Sequence, residues 1–256
     1  MTIKKESIDT GRFIAQLDQC FGNNDMRSAR KCIEFWEAEA RKYEDDHGLL
    51  TVLNEAVGLY RRTQKKEKAL KATEECLSLV VRLGLENSIT GATIMINSAT
   101  TLSFFGNEAE GIRYYDRASA WYRESGNTRT YQYAALLNNR AGTAYTLKRY
   151  DEAIKGWREA ITILEQIGGH NGEIAISLVM LAHAFYDQGG DDLSVIDTLL
   201  DEAWEHINAV EPPRDWNYAY VLKKCAPSFD FFNRPEEAQA LREVAKEIYD
   251  GNKENG

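Results

Sequence analysis

The feature that most constrains the fold of this chain is a spacing pattern that recurs about every 42 residues. In its clearest copy, Ala153 is followed four residues later by Trp157 and seven residues later by Ala160. Small residues seven positions apart lie on one face of a helix and allow a neighbouring helix to approach closely. The first small or apolar position of each copy is Ala29, Ala69, Gly111, Ala153, Ile196 and Ala238. We call this position the anchor of a repeat.

Six repeats use nearly all of the 256 residues, so the sequence predicts one repeat domain spanning residues 1–256. The predicted repeats cover approximately residues 8–46, 47–86, 87–127, 128–169, 170–211 and 212–250. Each is long enough for two antiparallel helices, and such a hairpin cannot bury its apolar face alone. Turns are predicted between the two helices of a hairpin, for example at FGNE (105–108) and QGGDD (188–192).

The distribution of proline supports an all-α fold. None occurs in the first 211 residues, and the four prolines are Pro212, Pro213, Pro227 and Pro235. Apolar residues recur at intervals of three and four, and the strict alternation that is typical of strands is missing. Pro227 falls inside the first helix of the sixth repeat, where we expect it to kink or break that helix.

Composition narrows the possible functions. The formal net charge is −9 and the pI is near 5.1, which argues against general binding to nucleic acid or to anionic membranes. No run of 18 apolar residues is present, and the N-terminus lacks the apolar stretch of a signal peptide. Four scattered cysteines without a CxxC motif are typical of a reducing compartment. We therefore expect a cytoplasmic protein.

Signals for catalysis are weak. The four histidines are far apart in sequence, and HExxH, GxxxxGK[ST] and GxSxG motifs do not occur. The sequence therefore predicts no catalytic, cofactor-binding or metal-binding residues, and a protein that is not an enzyme.

The segment GTAYTLKRYDEAIKGWREAI, residues 142–161, resembles a tetratricopeptide repeat (TPR). The period of 42 residues is similar to the longer repeat found in kinesin light chains and related scaffold proteins. ALLNNRAGTAY (135–145) and GGHNGEIAISLVMLA (168–182) are similar to the helix opening and the inter-repeat loop of that variety. The resemblance implies a right-handed α–α superhelix of about six hairpins, with a concave face lined by the first helix of each hairpin.

In this family the concave groove usually holds an extended or helical peptide. The resemblance implies that Asn97 and Asn139 reach into the groove and hydrogen-bond the main chain of that peptide. A second interpretation stays open, in which these amides solvate an exposed helix face or bond a neighbouring repeat. The other residues expected on the concave face are Asn54, Arg61, Arg62, Asn138, Tyr145, His183, Tyr186, Tyr220 and Lys223.

Arg61, Arg62 and Lys223 are cationic within an acidic chain, so an acidic peptide is a conceivable ligand. The family's carboxylate clamp needs basic residues in three successive repeats, and here that set is incomplete. We therefore favour the interpretation in which these long side chains solvate helix ends.

The sequence predicts a protein- or peptide-binding scaffold. The alternative is a peptide-sensing regulator of the bacterial type, whose members typically carry an N-terminal DNA-binding or effector domain. The repeats here begin by about residue 8, so we expect no room for such a domain. An enzyme with an unrecognised site in the groove is the least favoured hypothesis. The partner is expected to be a protein or a peptide, and the oligomeric state stays open.

Overall fold

The structure is a computed structural model that describes residues 6–189, 194–211 and 213–251. In these three ranges the regular secondary structure consists of twelve α-helices, and no strand is present. The predicted all-α fold class is therefore confirmed. The helices are α1 (Thr10–Gly22), α2 (Met26–Lys42), α3 (Asp46–Arg62), α4 (Lys66–Arg82), α5 (Ile89–Phe104), α6 (Glu108–Glu124), α7 (Tyr131–Thr146), α8 (Tyr150–Ile167), α9 (Asn171–Gln188), α10 (Ser194–Asn208), α11 (Trp216–Phe231) and α12 (Pro235–Gly251).

The chain divides into two compact halves, residues 1–126 and 127–256. The first half contains the hairpins α1–α2, α3–α4 and α5–α6, and α3 packs against both α2 and α5. The second half contains the hairpins α7–α8, α9–α10 and α11–α12, and α9 packs against both α8 and α11. Each hairpin corresponds to one of the predicted repeats.

Local sequence explains where the helices begin. Asp9, Asp25 and Asp45 cap the starts of α1, α2 and α3, and each carboxylate accepts a hydrogen bond from the backbone N–H three residues on. Ser88 and Thr130 do the same for α5 and α7 through their hydroxyl groups. These caps satisfy N–H groups that have no partner inside the helix.

The anchor residues pack where two helices meet. Ala29, Ala69 and Ala153 are completely buried, and Ile196 is 5% exposed. Gly111 departs from the favoured alanine for a steric reason, since a Cβ atom there would lie 2.3 Å from Ser103 Oγ and 2.9 Å from the carbonyl oxygen of Ala99. The close approach of α5 and α6 therefore leaves no room for a side chain at this anchor.

Of the two effects expected at Pro227, a kink or a break, the break does not occur. Pro227 does not break the first helix of the sixth repeat, because α11 continues through it to Phe231. The predicted turn at QGGDD can be described only in part: α9 ends at Gln188, and Gly189 adopts a left-handed conformation with φ 82°. Residues 190–193 and Pro212, where the sixth repeat was predicted to begin, lie outside the described residues.

Candidate peptide-binding surface

All residues predicted for the groove lie on odd-numbered helices, which are the first helices of their hairpins. We call the surface formed by α1, α3 and α5 the first-helix surface of the first half, and that formed by α7, α9 and α11 the first-helix surface of the second half. The first carries Asn54, Arg61, Arg62 and Asn97, and the second carries Asn138, Asn139, Tyr145, His183, Tyr186, Tyr220 and Lys223.

In the first half a chain of hydrogen bonds joins α5 to α3. Asn97 Nδ2 donates to Asn54 Oδ1 over 2.8 Å, and Asn54 Nδ2 donates to Glu55 Oε1 over 3.2 Å. All three side chains are half-buried. Loss of solvation raises the pKa of the Glu55 carboxyl group, and the hydrogen bond from Asn54 opposes that shift. Asn97 thus bonds the neighbouring repeat, as the second interpretation of its role proposed.

The bond to Asn54 uses one N–H group of the Asn97 side chain. A carboxamide carries two N–H donors and one carbonyl oxygen, and the contact with Asn54 involves a single N–H. Asn97 therefore keeps hydrogen-bonding capacity for a ligand main chain, with its orientation set by Asn54.

The two arginines of α3 lie in different environments. Arg61 is half-buried, and its Nη1 donates to Thr101 Oγ1 on α5 over 3.2 Å. Burial lowers the pKa of the Arg61 guanidinium group. Arg62 is exposed, and its guanidinium carbon lies 5.2 Å from the centre of the Phe21 ring. Arg61 therefore joins α3 to α5, whereas Arg62 lies over a ring of α1.

In the second half, the two consecutive asparagines of α7 differ in exposure. Asn139 is exposed, whereas Asn138 is half-buried with its Oδ1 3.0 Å from Ser177 Oγ on α9. Asn97 and Asn139 belong to different halves of the chain.

Tyr145 connects α7 to α9 through its hydroxyl group, which donates to the Asp187 carboxylate. Its ring also packs against Trp157, with ring centres 5.9 Å apart. Burial first, and then the adjacent carboxylate, raise the pKa of the Tyr145 phenol. The phenol therefore stays protonated at neutral pH and remains a donor to Asp187.

A cluster of rings covers the C-terminal ends of α9 and α11. We define this aromatic cluster as His183, Tyr186, Phe231 and Phe232. The His183 ring centre lies 5.0 Å from that of Phe231 and 4.8 Å from that of Phe232, and Tyr186 meets Phe231 edge-to-face at 5.3 Å. Tyr186 is 48% exposed and Phe231 is 56% exposed. The cluster therefore presents aromatic area to solvent.

His183 is held in a defined orientation within this cluster. Its Nε2 atom lies 3.1 Å from Ser228 Oγ on α11, and the ring is half-buried. Burial lowers the pKa of the His183 imidazole, although the Asp187 carboxylate opposes the shift. Further along α11, Tyr220 is 47% exposed, Lys223 is exposed, and Lys224 Nζ lies 5.5 Å from the Tyr220 ring centre.

Sequence reasoning missed Phe231 and Phe232, although one signal points to them. They follow the buried Ala226 by five and six residues, and Phe104 and Phe105 follow the buried Ala99 by the same intervals. The repeat pattern in the sequence also placed Glu55, not Asn54, in register with Asn97. Asn54 lies 43 residues before Asn97, so a strict period of 42 selects the neighbouring residue.

Among the described residues, no group of three or more His, Cys, Asp or Glu side chains is arranged to hold a metal ion. Within that same part of the chain, no helix combines the length and the apolar character needed to cross a bilayer.

Comparison with known families supports the repeat architecture. The tetratricopeptide repeat family matches residues 132–195, which cover α7, α8 and α9. Residues 132–195 are tetratricopeptide repeats. The predicted resemblance to that family is confirmed, and the other hairpins have the same helix–turn–helix form.

Solved structures of TPR-type proteins have the same fold. BtubC (BKLC) from P. vanneervenii is 20% identical with a TM-score of 0.69, and the match covers 79% of this chain and 82% of that one. A putative kinesin light chain with nearly identical TPR-like repeats from Podosopora anserina is 14% identical with a TM-score of 0.61, covering 79% of this chain and 96% of that one.

The apo form of the quorum sensor NprR from B. thuringiensis is 14% identical with a TM-score of 0.66, and the match covers 95% of this chain and 67% of that one. At these identities the likeness concerns the fold alone. No curated protein matches this chain by sequence.

Proposed function

We propose that this TPR chain is a non-enzymatic scaffold that binds a peptide segment of a partner protein on its first helices. The observation that carries the proposal is the aromatic cluster, in which Tyr186 and Phe231 expose about half of their side-chain surface. Exposed aromatic rings that are already ordered by their neighbours bind with little further loss of conformational entropy. Such residues are typical anchors of protein interfaces.

The exposed hydrogen-bonding groups on the first helices of the same half suit a peptide ligand. The Asn139 amide is exposed on α7 and offers both donors and an acceptor to a main chain. Tyr220 and Lys223 add exposed polar ends along α11. In this proposal a hydrophobic ligand side chain packs on Tyr186 and Phe231, while the ligand main chain bonds the polar groups.

The test uses a partner isolated by pull-down and reduced to its shortest binding fragment. Titration should show a loss of at least about tenfold in affinity for Tyr186→Ala and for Phe231→Ala, as for anchors of an interface. Phe35→Ala is the matched control, since Phe35 is 59% exposed but lies on α2, a second helix. If Phe35→Ala abolishes binding while the two first-helix variants bind like the parent, the proposal fails.

Asn97→Ala and Asn139→Ala belong in the same titration. If each amide bonds the ligand main chain in a desolvated contact, each variant should lower affinity by about 1–3 kcal/mol. Unchanged affinity in both would restrict the binding surface to the aromatic cluster.

A peptide-sensing regulator is the second candidate. The observation in its favour is the likeness to the quorum sensor NprR, which covers 95% of this chain. A sensor should carry a short free peptide, whereas a scaffold should retain an intact protein. Mass spectrometry of ligands released from protein purified from its native host distinguishes the two.

A further inference from the structure

A second surface on the first half is formed mainly by second helices. A groove of about 480 Å³ lies between α4 and α6, with part of α5 beneath it. On α4 it is lined by Leu70, Glu74, Leu77 and Val81, which follow one another at intervals of three and four residues. This stripe is about 16 Å long at 1.5 Å per residue, which matches three turns of a helix laid alongside it.

The sequence places a small side chain at the bottom of this α4–α6 groove. Four residues after its anchor, α4 carries Thr73, whereas α6 carries Tyr115 and α8 carries Trp157 at the equivalent position. Thr73 lines the groove and is 1% exposed. A small side chain thus occupies a position that the next two hairpins fill with a large aromatic residue.

The Thr73 hydroxyl group is unusual among the helical threonines. Thr51, Thr100 and Thr162 each donate to the carbonyl oxygen four residues before them. Within the described part of the chain, no hydrogen-bond partner is found for Thr73 Oγ1, although that atom is buried. A buried hydroxyl group without a partner is unfavourable, so the position beneath the groove is not filled in the way that favours stability.

The charges beside the groove are of one sign. Glu74 on α4 and Glu110 on α6 are its only charged lining residues, and both are exposed. No ion pair or hydrogen bond of either glutamate side chain occurs among the residues that the structure describes. Two carboxylates on opposite sides of a groove lined by both apolar and polar side chains attract a cationic ligand.

The preceding groove, between α2 and α4, shows the contrast. It holds about 230 Å³ and is crossed by ion pairs. Arg41 of α2 donates to both carboxylate oxygens of Glu75 on α4, over 2.7 and 2.8 Å, and Lys68 Nζ lies 3.6 Å from Glu34. Ion pairs within the chain therefore neutralise the α2–α4 groove, whereas the α4–α6 groove keeps its acidic sides and its apolar floor.

We propose that the α4–α6 groove is a docking site for a basic amphipathic helix of a partner protein. Apolar side chains of that helix pack on Leu70, Leu77 and Val81, of which Val81 is 59% exposed in the free chain. Its Lys or Arg side chains pair with Glu74 and Glu110. This site lies apart from the first-helix surfaces and does not depend on the proposed function.

The probe is a fluorescein-labelled helix of about four turns built from Leu, Ala and Lys, with Leu spaced to match the stripe on α4. Its counterpart replaces every Lys by Glu. Fluorescence anisotropy should show binding of the Lys probe and little binding of the Glu probe. Glu74→Lys/Glu110→Lys should weaken the Lys probe by at least about tenfold.

The matched control is Glu67→Lys/Glu124→Lys, which makes the same charge change at exposed positions on the same two helices, outside the groove. It should change affinity by less than about threefold. Equal weakening by both double variants would show general attraction to an acidic chain and would overturn the proposal. Thermal melting by circular dichroism verifies that each variant is folded.

Val81→Ser tests the apolar floor without disturbing the core. It should weaken binding of the Lys probe, and unchanged affinity would show that the probe does not bind in the groove.

Sedimentation tests whether a second copy of this chain occupies the groove. If the chain self-associates and Glu74→Lys/Glu110→Lys abolishes that association, the occupant is a second copy and the proposal is wrong. Tyr186→Ala should leave probe binding unchanged, so this test and that of the first-helix surface fail separately.

Discussion

In both halves of the chain, polar side chains bond between adjacent first helices, but the second half also carries the four-ring aromatic cluster at the ends of two first helices. Asn97 bonds Asn54 across two repeats, and Arg61 bonds Thr101 across the same pair of helices. In the second half, Tyr186 and Phe231 are about half exposed at the ends of α9 and α11. The same hairpin thus supports two surfaces of different chemistry.

The second helices of the two halves differ in how completely one position is filled. Thr73 in the first half leaves a groove beside α4, whereas Trp157 in the second half fills the equivalent position and is 2% exposed. The same frame position therefore holds a small side chain beside a groove in α4 and a large buried ring in α8. This difference indicates that the repeat determines the backbone, while individual side chains determine which surface of each half is available for binding.

The largest expected effect concerns Trp157, which fills the compared position in α8. Trp157→Ala should lower the free energy of unfolding by about 3–5 kcal/mol, because it removes a buried indole and leaves a cavity. Trp216→Ala is the control, since Trp216 is 60% exposed and its loss should change stability by about 0.5 kcal/mol or less. Urea denaturation followed by circular dichroism measures both. Similar losses in the two variants would contradict the assigned core position.

Thr73→Val tests the position beneath the α4–α6 groove. The variant keeps the shape of the side chain and removes a buried hydroxyl group that lacks a partner, so it should raise the free energy of unfolding by about 1 kcal/mol. Thr143→Val is the matched control on a buried threonine whose hydroxyl group donates to the carbonyl oxygen of Asn139 over 3.0 Å. The control should be neutral or destabilising, and a gain in both variants would remove the distinction between the two threonines.

Glu55→Gln tests the hydrogen-bond chain of the first half. Burial raises the pKa of the Glu55 carboxyl group, so the folded state binds this proton more tightly than the unfolded state. The native residue then loses stability as the pH rises through that pKa. The Gln variant should be more stable by up to about 1 kcal/mol at pH 7, because the side chain is partly solvated.

That gain should shrink below the ordinary glutamate pKa of about 4.3, where the native carboxyl group is also neutral. Thermal melting between pH 3 and about pH 7 follows the difference. Glu67→Gln, at an exposed position on α4, is the control. A gain independent of pH would show that ionisation of Glu55 is not its cause.

The smallest expected effect concerns the aromatic cluster. Burial lowers the pKa of His183, so its contribution to stability is present above the ordinary histidine pKa of about 6.5 and is lost as the pH falls through the folded pKa. In His183→Gln, the free energy of unfolding should therefore fall by about 0.5 kcal/mol less on acidification than in the native chain. The effect is small because the ring is half solvated. His47→Gln, at an exposed position, is the control. NMR titration of the imidazole checks the direction directly.

The sequence alone determined the all-α fold, the six hairpins and the set of side chains that lie on first helices. These features are encoded locally, because small residues seven apart and capping residues such as Ser88 act within one helix or one hairpin. The steric need for Gly111 is not signalled by the frame, which favours alanine there, because the atoms that exclude a Cβ belong to α5.

Only the tertiary structure decided which side chains meet. Asn97 meets Asn54 and His183 meets Ser228, and each pair is separated by more than 40 residues of chain. Such contacts depend on the register between adjacent hairpins, which an approximate period of 42 residues does not define to the single residue. The α4–α6 groove arises in the same way, since Thr73, Leu102 and Tyr114 border one space only after three helices have packed together.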